Sequence, residues 1–132
     1  MPNKENLRKW VAALRSGEFK QAQRYLNRGD AHCCLGVACE LAIADGVGVV
    51  KTTKTLQEGD TTYAHYDGSG AYMPNRVRRW LGIEEADPLI EAKRDDERGS
   101  IYRTASDLND RDGKTFAEIA DAIEKKYELV DA

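Results

Sequence analysis

Cys33 and Cys34 stand side by side at the head of an apolar stretch, His32-Cys33-Cys34-Leu35-Gly36-Val37-Ala38-Cys39-Glu40-Leu41-Ala42. A thiol at the start of a helix is the kind that ionises, because free amides and the helix dipole favour the thiolate. Further along come His65 and then Asn109-Asp110. Together they make a candidate cysteine-dependent hydrolase or transferase: Cys33 or Cys34 as nucleophile, His65 as base, Asn109 or Asp110 orienting the imidazole, and helix-start amides receiving an oxyanion. The same residues have a packing reading, which the sequence favours. Cysteine inside an apolar helix is a small buried hydrophobe, and Cys39 is expected to be one. His65 within Tyr63-Ala64-His65-Tyr66 suits a half-exposed strand position. Asn109-Asp110 would then satisfy loop amides and brace the entry to the last helix, against the start of the cysteine helix.

Other chemistry fails on spacing. Cys33 and Cys34 would point about 100° apart on a helix, and Cys39 is not one turn from either, so no metal site and no cofactor is expected. The acidic run from Asp107 to Thr115 puts Leu108 and Ile119 where a calcium loop needs Asp and Glu. Gly46-Val47-Gly48 lacks the third glycine of a phosphate loop and leads into a strand pattern. Charge is unevenly divided: residues 1–82 carry 12 Lys+Arg against 8 Asp+Glu, and residues 83–132 carry 8 against 15. The acidic C-terminal portion would repel a phosphate backbone, so nucleic acid is not an expected partner. Arg76, Arg78 and Arg79 form the one concentrated basic spot; with Tyr63, Tyr66 and Tyr72 they are the candidate binding residues, since arginine and tyrosine carry much of the energy of interfaces. The alternative for them is a solvated helix face and sheet packing.

The elements that must position these residues are legible in part. Leu7, Trp10, Val11 and Leu14 recur at helical spacing and predict a helix near 3–15, ended by Ser16-Gly17. Phe19 to Leu26 reads as a helical turn folding Tyr25 and Leu26 back on that helix. The cysteine helix, 33–44, is apolar around most of its circumference and therefore central; Gly36 inside it implies a close backbone neighbour. From Val47 to Met73 the pattern is an antiparallel meander: Val47–Thr55, a turn at Gln57-Glu58-Gly59-Asp60, Thr61–Tyr66, a turn at Asp67-Gly68-Ser69-Gly70, and Ala71–Met73. Pro74 suits the first turn of a short helix with Val77, Trp80 and Leu81 inward and Gly82 as its cap. Residues 84–100 read as an exposed, charged connector anchored by Leu89-Ile90. Thr115-Phe116-Ala117-Glu118 fits a capping box that opens a helix over 115–127. The expected architecture is a single α+β domain, three main helices on a small antiparallel sheet. Neither export nor membrane insertion is signalled, and a cytoplasmic, thiol-preserving location is expected.

The blocks Leu14-Arg15-Ser16-Gly17-Glu18-Phe19-Lys20-Gln21, Cys33 through Glu40, Met73 through Gly82, and Leu108-Asn109-Asp110 with Phe116-Ala117-Glu118-Ile119-Ala120-Asp121 together resemble a family of small uncharacterised proteins of tailed bacteriophages. The resemblance implies a phage protein made in the bacterial host cytoplasm. It gives the cysteine block and Asn109-Asp110 as signature positions. The resulting expectation is a small accessory protein that binds a host protein or a small ligand, with the cysteine hydrolase or transferase as the alternative.

Overall fold

Leu7, Trp10, Val11 and Leu14 are all buried, along one side of a helix α1, Lys4–Arg15, whose N-cap Asn3 accepts from the Asn6 amide at 3.1 Å. The computed structural model describes residues 2–55 and 61–130. After α1 come three two-residue strands, β1 (Lys20–Gln21), β2 (Asn27–Arg28) and β3 (Ala31–His32), and then the cysteine helix α2, Cys34–Ala44. β4 (Lys51–Thr55) and β5 (Thr62–Tyr66) form a hairpin, and α3 follows at Asn75–Leu81. β6 (Leu89–Asp95) and β7 (Gly99–Thr104) form a second hairpin; a single wide turn, Asp107–Arg111, leads to α4, Phe116–Lys126. The result is an α+β fold in which the helices and a five-stranded sheet share one apolar core.

That core is organised around α2. Seven of its residues, from Cys34 to Cys39 and Ala42, are buried, as an all-round apolar helix requires. α1 packs on α2, α3 and α4. Arg15 at the end of α1 pairs with Asp121 and Glu124 of α4. Thr115 and Glu118 form the expected capping box, and Gly82 ends α3 with φ of +70°, a left-handed conformation that glycine adopts without steric cost. Among the described residues no helix is long and apolar enough to cross a membrane.

Strand order in the larger sheet is β1-β3-β2-β5-β4, antiparallel except for the parallel β1/β3 pair. This corrects the expected meander. β4 begins at Lys51, residues 71–73 form no strand, and the second neighbour of β5 is β2, with Asn27 opposite Ala64 and Arg28 opposite Tyr63. The backbone groups of 70–73 bond elsewhere: Gly70 O accepts from Leu26 N and Met73 N donates to Ala86 O. The Gln57–Asp60 turn lies outside the described residues.

Three further expectations change. Phe19–Leu26 is not a helical turn: Lys20 and Gln21 pair with Ala31 and His32, and Arg24 has φ of +72°, which an α-helix does not allow. The connector at 84–100 contains most of the β6/β7 hairpin, in register from Leu89/Thr104 to Asp95/Gly99 with a bulge after Leu89. Its residues do not alternate because a two-stranded hairpin exposes both faces along most of its length; of Leu89-Ile90, Ile90 is buried and Leu89 half-buried. Trp80 sits at the rim of the core, its indole N–H donating to Asp45 Oδ2 at 2.8 Å.

Candidate functional site

The start of α2 is held by a residue from the far end of the chain. Cys33, the N-cap, offers no side-chain cap. The Cys34 amide instead donates to Asn109 Oδ1 at 3.2 Å, and the same oxygen accepts from Gln21 Nε2 at 3.0 Å. Asn109 Nδ2 donates to Ala22 O at 2.8 Å and to Asp110 Oδ1 at 2.7 Å. A side-chain amide has two donors and two acceptor sites, and all four are used here in a residue with no solvent exposure. Asn109 reaches this position because Asp107–Arg111 is wound wide, with Asp112 N bonding back to Asp107 O at 2.9 Å.

Gly36 completes the seat of α2. A Cβ there would lie 1.8 Å from the Leu26 carbonyl oxygen, so the expected close backbone neighbour is the chain leading into β2. The Cys33 amide donates to Tyr25 O, and the Trp10 indole N–H donates to Cys34 O at 2.9 Å. The segment 22–26 is therefore pressed onto the first turn of α2.

These contacts decide what the cysteines can do. Cys33, Cys34 and Cys39 are free and buried. Burial pushes the Cys33 thiol up to about 11 despite amide donors at Gly36 and Leu35, with the Asp110 and Asp87 carboxylates adding to the rise. Burial likewise raises Cys34 and Cys39 well above their usual range. Cys34 Sγ donates to Ala105 O at 3.4 Å. The helix-start amide assigned to an oxyanion belongs to Asn109. His65 is on the wrong side of its strand: Ala64 and Tyr66 of β5 are buried, and Tyr66 reaches Glu40 of α2, so the period of two turns His65 to the opposite face. There its ring packs on Tyr63, centroids 5.4 Å apart, and lies against Gly70. The structure thus brings Cys34, Asn109 and Asp110 together and leaves His65 apart.

Between α2 and the sheet is a polar network that the sequence reading missed. Glu40 accepts from the Tyr66 hydroxyl and pairs with Lys51 Nζ at 2.8 Å, while His32 Nε2 lies 3.7 Å from Glu40 Oε2. Burial would raise the Glu40 carboxyl, but His32, Lys51 and Tyr66 outweigh it and hold the group at about 2. Tyr66 is raised by burial and by Glu40. His32 and Glu40 bracket the cysteine block, eight residues apart in sequence. No local motif signals their meeting, since it depends on a strand turning into a helix.

The candidate binding residues divide. Tyr66 is buried in the network just described and is no contact residue; Tyr63 is half-buried and Tyr72 exposed. Arg76 is tied to Gly48 O and Asp67, and Arg78 to Asn75 Oδ1 and Ile83 O. Arg79 is exposed and lines, with Arg76, Asp67 and Val50, an open depression of 760 Å³.

A second cleft, of 630 Å³, is lined by Gln21, Ala22, Gln23, Arg24, Tyr25, Arg28 and Gly113. Arg24 is held in its left-handed conformation by Asp110 Oδ1, which accepts its amide at 2.9 Å. Arg28 lies over the Tyr25 ring, 5.7 Å from its centroid, and Tyr25 is 5.9 Å from Tyr63. Among the described residues neither the Arg24 nor the Arg28 guanidinium has a carboxylate partner. No pattern in 20–28 marks this cleft; it is assembled from that segment and Gly113, distant in sequence. Among the described residues no group of three His, Cys, Asp or Glu side chains is placed to hold a metal ion.

Fold and site together define a small α+β protein with a structurally committed cysteine helix and an open, arginine-lined cleft beside it. The model of a domain of unknown function, DUF8296, matches residues 2–127, and the chain belongs to that family. No curated protein and no solved structure matches it.

Proposed function

We propose that this protein is a phage-encoded accessory protein that works in the bacterial cytoplasm by binding a host protein or small ligand, without covalent chemistry. The observation that carries the reading is the condition of the cysteines. They are buried, shifted away from the thiolate and beside carboxylates, and the amide that would serve an oxyanion is occupied. A catalytic thiol needs the reverse: exposure and a neighbouring cation. Arginine and tyrosine side chains, by contrast, stand open at the 630 Å³ cleft. The phage assignment is supported by the four sequence blocks that resemble tailed-phage proteins.

The test is alkylation of each cysteine in the folded protein as a function of pH, followed by mass and peptide mapping. All three thiols should stay unmodified until denaturant is added. Rapid labelling of Cys33 or Cys34 with an apparent pKa well below about 8.5 overturns the binding reading in favour of a thiol enzyme. Phage origin predicts that the chain appears in a bacterial culture only after infection; its presence beforehand counts against it.

A further inference from the structure

We infer that the cleft formed by residues 21–28 and Gly113 is a binding site for a phosphate monoester borne by a small organic molecule, held by the guanidiniums of Arg24 and Arg28. The inference rests on the reading that the protein acts by binding, and it names the ligand class. Among the described residues the cleft's two charged lining residues are both arginines. Neither nearby carboxylate is bonded to a guanidinium: Asp110 accepts from the Arg24 amide and from Asn109, and Asp30 holds Lys20 at 2.7 Å. Two guanidiniums without carboxylates in one concavity suit a doubly charged tetrahedral oxyanion, which offers several acceptors to their planar forks. The volume, 630 Å³, is within the range of small-molecule sites.

The backbone supports this placement. Among the described residues Arg24 is one of three non-glycine residues with positive φ, and a glycine would occupy that conformation at less cost. Arginine there is held by the fixed Asp110 carboxylate, itself bonded to the buried Asn109. Strain retained at a residue whose charged end has no carboxylate partner among the described residues points to use of that end. From Arg28 a row of rings, Tyr25, Tyr63 and His65, runs along the outer face of the sheet. This row is where the organic part of the ligand would lie.

The experiment is a titration of the isotopically labelled full chain with adenosine monophosphate, inorganic phosphate and adenosine, followed by amide chemical shifts. Adenosine monophosphate should shift amides in 21–28 and at Gly113 saturably, with a Kd of about 1 mM or tighter. Inorganic phosphate should move the same amides, and adenosine should not. Tighter binding of the nucleotide assigns part of the affinity to the ring row; equal binding assigns it all to the phosphate. Both outcomes uphold the site. Arg28→Ala and Arg24→Gly should each weaken binding at least about tenfold, and Arg24→Gly should do so without loss of thermal stability. Absence of saturable shifts with both phosphate probes overturns the inference, as does undiminished binding in the double variant or equal binding of adenosine. Because thiol protection is measured separately, a failed titration with protected cysteines removes only this ligand class, whereas reactive cysteines remove the binding reading itself.

Discussion

Asn109 and Arg24 are joined through one carboxylate, that of Asp110, yet they belong to opposite kinds of environment. On the Asn109 side every polar group is matched: four hydrogen bonds, no exposure, and a helix start that depends on them. On the Arg24 side the backbone is strained and, among the described residues, the guanidinium has no carboxylate partner. Asparagine in the first setting is a brace, and arginine in the second is available for a ligand. The residue types that suggest catalysis, cysteine and asparagine, fall on the matched side, and the chemistry left open falls a few ångströms away on residues no motif distinguishes.

The contrast can be broken most severely at Gly36. Replacing it by alanine drives a methyl into the Leu26 carbonyl, and the loop carrying Arg24 must shift or the helix must tilt. A loss of about 3 kcal/mol in urea unfolding is expected; a loss under about 1 kcal/mol would mean that segment 22–26 is not pressed onto α2 as described. Next in size is Asn109→Ala, which leaves the buried Cys34 amide without its acceptor and Ala22 O without its donor. The cost should be about 2 kcal/mol, and Cys33 and Cys34 should become reactive to alkylating reagent as the seat loosens. Retention of both stability and thiol protection would show that the brace is dispensable.

A third effect sharpens the comparison from the sheet side and is read as a slope. Glu40 is held at about 2 in the folded chain against an ordinary value of 4.5. A carboxyl depressed on folding contributes stability that is fully present above its unfolded value and disappears as pH falls through its folded one. The contribution of Glu40 should therefore fade between about pH 4.5 and 2. Glu40→Gln should flatten the decline in thermal stability across that window, measured by circular dichroism, and an unchanged slope would place the acid sensitivity elsewhere.

What could be read from the sequence follows from how local each interaction is. The stripe of α1, the capping box at Thr115 and the left-handed Gly82 involve residues within a few positions of one another, and each is where its pattern puts it. Gly36 also announced a backbone neighbour, though not which one. The brace reading of Asn109 was available because asparagine satisfies loop amides generally. The β2/β5 pairing, the β6/β7 hairpin and the Arg24 cleft were hidden for different reasons. Two-residue strands have no period, an exposed hairpin has no apolar face, and a cleft assembled from segment 21–28 and Gly113 has no linear signature. Tyr66 and Tyr63 are equivalent by composition, and only the pleat separates the buried one from its half-exposed neighbour.

The bond from the Cys34 amide to Asn109 Oδ1 spans 75 residues, and that from Cys34 Sγ to Ala105 O spans 71. Synthesis runs from the N-terminus, so a ribosome has already made the cysteine helix long before it makes the residues that close over its start. A chain stalled or cut short before residue 105 carries its thiols without their cover. Thiol exposure thereby distinguishes copies that have not reached Asn109 from those that have, and oxidative damage at Cys33 and Cys34 would be concentrated in the brief interval before residues 105–109 arrive.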